Sequence, residues 1–149
     1  MHPKYPNVFS PIKLGPVELP NRFYSSPHAV PMNILGKPTD DFIHYNVART
    51  RGGCGLLILS MAAHGRVRSV WPNIGPAEHV AAFRALTDAV HEAGGKIFGE
   101  PWYFWGLPGQ WAPLSPPAPA LGPSVGQFRF HDKGWATREM STEDIRRML

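Results

Sequence analysis

Two side chains able to hold a polar ligand stand where strands ought to end. They are the carboxylate of Glu100, after the apolar run Ile97-Phe98-Gly99, and the imidazole of His28, after Arg22-Phe23-Tyr24-Ser25-Ser26-Pro27. A carboxylate closing an apolar strand must find hydrogen-bond donors or remain at a solvent-accessible mouth. Ionised, it accepts hydrogen bonds and cannot donate them. Taken alone, Glu100 is equally a surface carboxylate, Pro27-His28 a strand terminus with a hydrogen-bonded histidine, and Met61 core filler. The sequence holds seven histidines, but His28, His44, His64, His79, His91 and His131 lack the i, i+4 or paired spacing of zinc ligands, which speaks against a metal hydrolase. Cys54, in Gly53-Cys54-Gly55-Leu56-Leu57-Ile58-Leu59, reads as a buried structural thiol rather than a nucleophile.

The elements that must position these groups follow from local signals. Ile12-Lys13-Leu14 and Val17-Glu18-Leu19, divided by Gly15-Pro16, form a small hairpin. Arg22 to Ser26 is extended and is stopped by Pro27, after which the chain loops through Pro31 and Gly36. Thr39 starts a helix with Asp40 and Asp41 in its first turn; Phe42, Ile43, Asn46, Val47 and Thr50 recur at helical spacing, and Gly52-Gly53 ends it. Leu56 to Leu59 shows no alternation, as expected of a strand buried on both faces. A second helix opens at Pro76, carries Val80, Phe83, Leu86 and Val90 on one face and closes at Gly94-Gly95. Lys96 to Glu100 then runs extended into Pro101. The alternation of strand and helix defines an α/β chain with parallel strands.

From Trp102 to Met140, Pro, Gly and aromatic residues dominate, and Pro116-Pro117-Ala118-Pro119-Ala120 reads as a linker or polyproline segment. A long loop after a strand is where barrels concentrate ligand contacts. Ser141-Thr142-Glu143-Asp144 has the form of a capping box that opens a third helix. Composition, with 43% hydrophobic and 17% charged residues, suits one globular domain. The net charge of +4 is scattered without a basic run, so no nucleic-acid surface is expected; Arg66 and Arg68 with His64 read as a solvated turn. One cysteine and the absence of an apolar leader or membrane span point to a soluble, cytoplasmic protein.

Several stretches together resemble one family. They are Phe9-Ser10-Pro11-Ile12-Lys13-Leu14-Gly15, Leu19-Pro20-Asn21-Arg22-Phe23-Tyr24-Ser25-Ser26-Pro27-His28, Arg51-Gly52-Gly53-Cys54-Gly55-Leu56, Asp88-Ala89-Val90-His91-Glu92-Ala93-Gly94-Gly95 and Gly99-Glu100-Pro101-Trp102-Tyr103. In order and spacing they resemble the old yellow enzyme-like FMN oxidoreductases, in particular the branch with trimethylamine dehydrogenase and the 2,4-dienoyl-CoA reductases. The resemblance implies a partial TIM (β/α)8 barrel, its first three βα units preceded by the hairpin. Residues 1–149 would be the N-terminal part of a single FMN-binding domain, since a whole barrel takes roughly 250 residues.

By the same resemblance, Ser26, Pro27, His28 and Ala29 contact a flavin ring largely through backbone groups, with Met61 and Glu100 also lining the cofactor. Glu100 followed by Trp102-Tyr103 is similar to the amine-dehydrogenase branch, where most ene-reductases have Gln. Ala29 stands where trimethylamine dehydrogenase has a flavin-linked cysteine, so FMN is expected to bind noncovalently. Met61 replaces an aromatic of that enzyme's cation–π cage. Tyr103 is the candidate for substrate contact, and no catalytic acid or base is identified. The expected activity is hydride transfer through FMN to or from a small-molecule substrate, an amine or an activated alkene, with NAD(P)H as a reductant. A 4Fe-4S cluster is expected only in a C-terminal part beyond this chain. The alternative is a catalytically incomplete fragment, or a split-barrel subunit completed by a missing barrel half or by homo-oligomers.

Overall fold

The computed structural model describes residues 4–28, 30–62, 71–102, 120–122, 124–130 and 133–146. The chain opens with the expected hairpin, β1 (Ile12–Leu14) paired antiparallel with β2 (Val17–Leu19) around Gly15 in a left-handed conformation, φ 56°. Next come β3 (Tyr24–Ser25) and a second, unanticipated hairpin of β4 (Asn33–Ile34) and β5 (Lys37–Pro38). Its turn uses Leu35 and Gly36, both at positive φ. Proline and glycine marked this stretch as loop, and two-residue strands carry no periodicity that could show otherwise.

Helix α1 (Asp40–Arg51) begins where its signals place it. The Thr39 hydroxyl accepts from Phe42 N–H, two aspartates occupy the first turn, and Phe42, Asn46, Val47 and Thr50 are buried. Strand β6 (Leu56–Ala62) is followed by a 3-10 turn, Ala77–His79, and helix α2 (Val80–Glu92), then β7 (Lys96–Trp102). In α2, Phe83, Leu86 and Val90 are buried as expected, whereas Val80 is half exposed and His79 is buried in its place. The preceding 3-10 turn rotates the first apolar position outward.

Both helices end alike. Gly53 and Gly94 have φ of 100° and 87°. Paired bonds close each end: Gly53 N–H to Thr50 and Cys54 N–H to Arg49, then Gly94 N–H to His91 and Gly95 N–H to Val90. The close approach at Gly95 is obligatory, because a Cβ there would lie 2.5 Å from Thr50 Cγ2.

The central sheet has the order β3-β6-β7, all parallel, with Leu56 opposite Lys96 and Ser60 opposite Glu100. Leu57, Leu59 and Met61 share one core with Val30, Phe42, Phe83, Leu86 and Val90. Because α1 and α2 pack side by side against that single face, the winding is that of a barrel wall and not of a sheet covered on both sides. The described strands form an open α/β sheet and do not close a barrel.

The tip of β6 is latched. Ala62 N–H donates to Pro72 O (2.7 Å), Ile74 N–H returns to Ala62 O (2.9 Å), and Asn73 N–H reaches Gly36 O (2.8 Å). Asn73 is fully buried; its side-chain oxygen accepts from Gly75 N–H and its carbonyl faces His79 Nδ1 at 2.8 Å. Gly36, at φ +86°, admits the latch, since a Cβ would stand 2.7 Å from that of Asn73.

Where the composition of Trp102 to Met140 predicted a loop, the structure has a second sheet of β8 (Ala120–Gly122), β9 (Gly126–Phe130) and β10 (Lys133–Glu139), in the order β8-β10-β9. The period-2 alternation of Phe128, Phe130, Trp135 and Thr137 is a hairpin signal that the Pro and Gly content masked. Most of the Pro116–Ala120 segment lies outside the described residues, as do Arg66, Arg68 and His64.

Helix α3 (Thr142–Arg146) opens with the expected box: Asp144 N–H donates to Ser141 Oγ (3.1 Å) and Ser141 N–H donates to Asp144 Oδ2 (2.9 Å). Arg138 Nη1 lies 3.1 Å from the same oxygen. The Ser141 amide, then its hydroxyl, then Arg138 hold the Asp144 carboxyl down from 3.8 to about 2. A depressed carboxyl favours the folded cap above the ordinary value and loses that contribution as pH falls through its own. A nuclear magnetic resonance titration of Asp144 is therefore expected to show α3 fraying between pH ~4 and ~2 and intact above it. Asp144→Asn is expected to abolish that titration.

Candidate cofactor-binding face

The parallel register brings the C-terminal ends of β3, β6 and β7 to one end of the sheet. Side chains alternate across a strand, so the residues between the core positions of β6, namely Ile58, Ser60 and Ala62, face away from the helices. Their cross-strand partners Phe98, Glu100 and Trp102 do the same. Trp102 Nε1–H donates to Ser60 Oγ at 2.9 Å, which ties the two strand tips together on this face. Glu100 lies between the helix-free surface and water and is exposed. Among the described residues no donor reaches its carboxylate, whose ionised form is an acceptor only.

Of the residues singled out from the sequence, Ser26, Pro27 and His28 follow β3 directly, at the same end of the sheet as Glu100. Ser26 and His28 are exposed and Pro27 is half-buried. Met61 reaches this end only with its backbone. Its side chain is 7% exposed, lies in the helix-facing core and fills the space left by Gly99, whose Cβ would sit 2.8 Å from Met61 Cε. The alternation of β6 thus gives Ser60, not Met61, to the open face. Ala29 and Tyr103 lie outside the described residues.

His28 turns toward α1. Its Nε2 is 2.8 Å from Tyr45 Oη and its Nδ1 3.2 Å from Ser26 O, and the two rings meet edge to face with centroids 6.1 Å apart. Arg49 stacks over Tyr45, its guanidinium carbon 4.3 Å from the ring centroid, and donates to the phenol oxygen. Cys54 is half-buried, and its thiol donates to Leu56 O at 3.1 Å, a structural role. Among the described residues no group of three His, Cys, Asp or Glu is placed to hold a metal ion.

The residues that sequence reasoning missed are Ser60, Tyr45 and Arg49. Ser60 lies just past the apolar run Leu56–Leu59, in the last part of β6, where a run without alternation gives no sign of the face a residue takes. Tyr45 and Arg49 carried only an i, i+4 spacing on the less apolar flank of α1.

A flavin fits this face in kind. Its pyrimidine edge alternates donors and acceptors, which the strand-end backbone after Ser25 and the open carboxylate of Glu100 can match. Comparison with known proteins agrees in fold and family. The model of the NADH:flavin oxidoreductase / NADH oxidase family matches residues 7–149. The chain is 34% identical to an NADH oxidase of Thermoanaerobacter brockii over 99 residues, 63% of this chain and 15% of that one. It is likewise 34% identical to an N,N-dimethylglycine/sarcosine dehydrogenase of Chromohalobacter salexigens over 96 residues, 60% of this chain and 14% of the relative. Among solved structures, Old Yellow Enzyme from a Pichia species superposes with a TM-score of 0.76 at 25% identity, over 95% of this chain and 39% of the other. The chain therefore spans a small part of the length of the proteins it matches.

The hydrogen bond between Trp102 and Ser60 is expected to couple the two strand tips by about 1 kcal/mol. A double-mutant cycle of Ser60→Ala and Trp102→Phe, measured by urea unfolding, reads that coupling directly; additive single effects would remove the tie from the description of the face.

Proposed function

Because this chain belongs to the NADH:flavin oxidoreductase / NADH oxidase family, we propose that it forms one wall of an FMN site and serves hydride transfer between a small-molecule substrate and a nicotinamide donor or a second acceptor. One observation carries the reading: Ser26-Pro27-His28 and Glu100 stand at the same end of a parallel sheet whose other face is packed by α1 and α2. Bound FMN would supply the two-electron chemistry. The chain's own part is to bind and orient. The backbone groups of Ser26, Pro27, His28 and Ala29 would contact the ring edge, Pro27 through its carbonyl alone, and the backbone of Met61 would line the neighbouring strand end. Ionised Glu100 accepts a ring N–H while remaining in contact with water, which spares it the cost of burial. With alanine at position 29 there is no sulfur to form a covalent link, so the cofactor is held noncovalently.

The carboxylate at position 100 and the likeness to an N,N-dimethylglycine/sarcosine dehydrogenase support oxidation of a small amine over reduction of an activated alkene. Tyr103 is proposed as a substrate contact. The acid/base residues are assigned to barrel strands other than the three described.

A second reading is favoured by the state of β7, which is mostly exposed along its length, with Phe98 37% accessible on the helix-free face. Among the described residues β7 is an edge strand, and an edge strand is a template for pairing with a partner. On this reading activity requires complementary βα units, in the same protein, a second chain or another copy, and this stretch alone is inactive. A monodisperse monomer in light scattering that retains FMN would overturn it.

The wild-type protein is expected to take up FMN that acid precipitation releases intact. Glu100→Gln is expected to keep binding within a few fold, and Glu100→Leu to weaken it by a factor of ten or more, the effect of losing one charge-assisted hydrogen bond. Titration of FMN fluorescence measures this, and equal affinity in all three proteins would remove Glu100 from the site.

A further inference from the structure

Resting on the proposed contact between the end of β3 and a flavin, we propose that Arg49, Tyr45 and His28 form a directed hydrogen-bond relay that fixes the Ser26 carbonyl, so that Tyr45 and Arg49 are positioning residues for the cofactor-facing backbone. Donor and acceptor capacities fit one direction throughout the chain of contacts. A guanidinium has only donors, so Arg49 Nη2, which meets Tyr45 Oη, occupies a lone pair of the phenol oxygen. In the relay the Tyr45 O–H donates to His28 Nε2, 2.8 Å away. Arg49 Nη2 also faces Nε2, at 3.5 Å, and this nitrogen serves as the acceptor of both.

On the other side of the ring the logic is reversed. His28 Nδ1 stands 3.2 Å from Ser26 O, a carbonyl that can only accept. The relay thus uses the ring with its proton on Nδ1, and it runs from the cationic end of one α1 side chain, through a phenol and an imidazole, to a main-chain carbonyl. Each bond polarises the next in the same sense.

The need for such a device lies in β3 itself. Its ladder covers only Tyr24 and Ser25, so Ser26 and Pro27 extend past the last strand pairing, and Pro27 has no N–H with which to secure itself. Tyr45 and Arg49, one turn apart on a helix packed into the core, are firmer supports than the strand end they hold.

Long-range proton–nitrogen-15 spectra of the intact protein read the tautomer of His28, and FMN titration of the same samples reads its consequence. The wild type is expected to show the Nδ1–H form. Tyr45→Phe, which keeps the ring and removes the hydroxyl, is expected to shift His28 toward the Nε2–H form and to weaken FMN binding about fivefold, the worth of one hydrogen bond. Arg49→Met is expected to act in the same direction through a different side chain. His28→Ala is expected to weaken FMN binding, and His28→Asn, whose amide can reach the Ser26 carbonyl from the Nδ1 position, to recover part of that loss. An Nε2–H tautomer in the wild type overturns the relay. A tautomer that changes in Tyr45→Phe with no change in FMN affinity, or the converse, overturns the positioning role. A wild-type protein that binds no FMN overturns the cofactor reading and with it the positioning role, and the tautomer then decides whether the relay exists.

Discussion

Everything at the candidate site depends on the alternation of β6. A strand with helices against one face must send its odd residues to that face and its even residues to the other. Leu57, Leu59 and Met61 meet Phe42 of α1 and Phe83, Leu86 and Val90 of α2, which commits Ile58, Ser60 and Ala62 to the opposite side. A shift of one residue would bury a serine hydroxyl among leucines and expose three large apolar side chains, so the register is strongly specified. Ser60 stands on that opposite face because the core claims the residues on either side of it, and Glu100 stands there as its cross-strand partner.

The level at which functional groups stand is set by the pairing of β6 with β7. Glycines at 53 and 94 close α1 and α2 in the same left-handed manner, and each helix is followed within a few residues by a strand. β6 and β7 are seven residues long and pair from Leu56 opposite Lys96 to Ala62 opposite Trp102. Ser60 and Glu100 come to the same height because the two equal strands pair in register from Leu56 opposite Lys96. The cross-strand tie from Trp102 to Ser60 then acts between groups already aligned, at little further entropic cost.

The parallel order, both long helices with their caps, the first hairpin and the Ser141 box were legible in the sequence, because each rests on a local signal that tertiary context reinforces. What was not legible is equally specific. The β4–β5 hairpin has two-residue strands, too short for any period. The β8–β10 sheet lies in a stretch whose proline and glycine content outweighed its alternation. Met61 was placed correctly at a strand end, but the side of the sheet its side chain takes depends on register with the helices, which spacing alone does not fix. The partners of His28 were invisible for a further reason: Tyr45 and Arg49 lie seventeen and twenty-one positions away, joined only by the fold.

The latch around Asn73 bears on how the sheet keeps its alignment. Ala62 is bonded on both sides to Pro72 and Ile74, and Asn73 is anchored to Gly36, so the last residue of β6 is held from the hairpin side by main-chain bonds alone. The register that Leu57, Leu59 and Met61 impose from the core is thus met at the far end of the strand by a second constraint that no side-chain exchange at Ala62 or Pro72 would remove, which makes the strand tip a pinned end and not a fraying one.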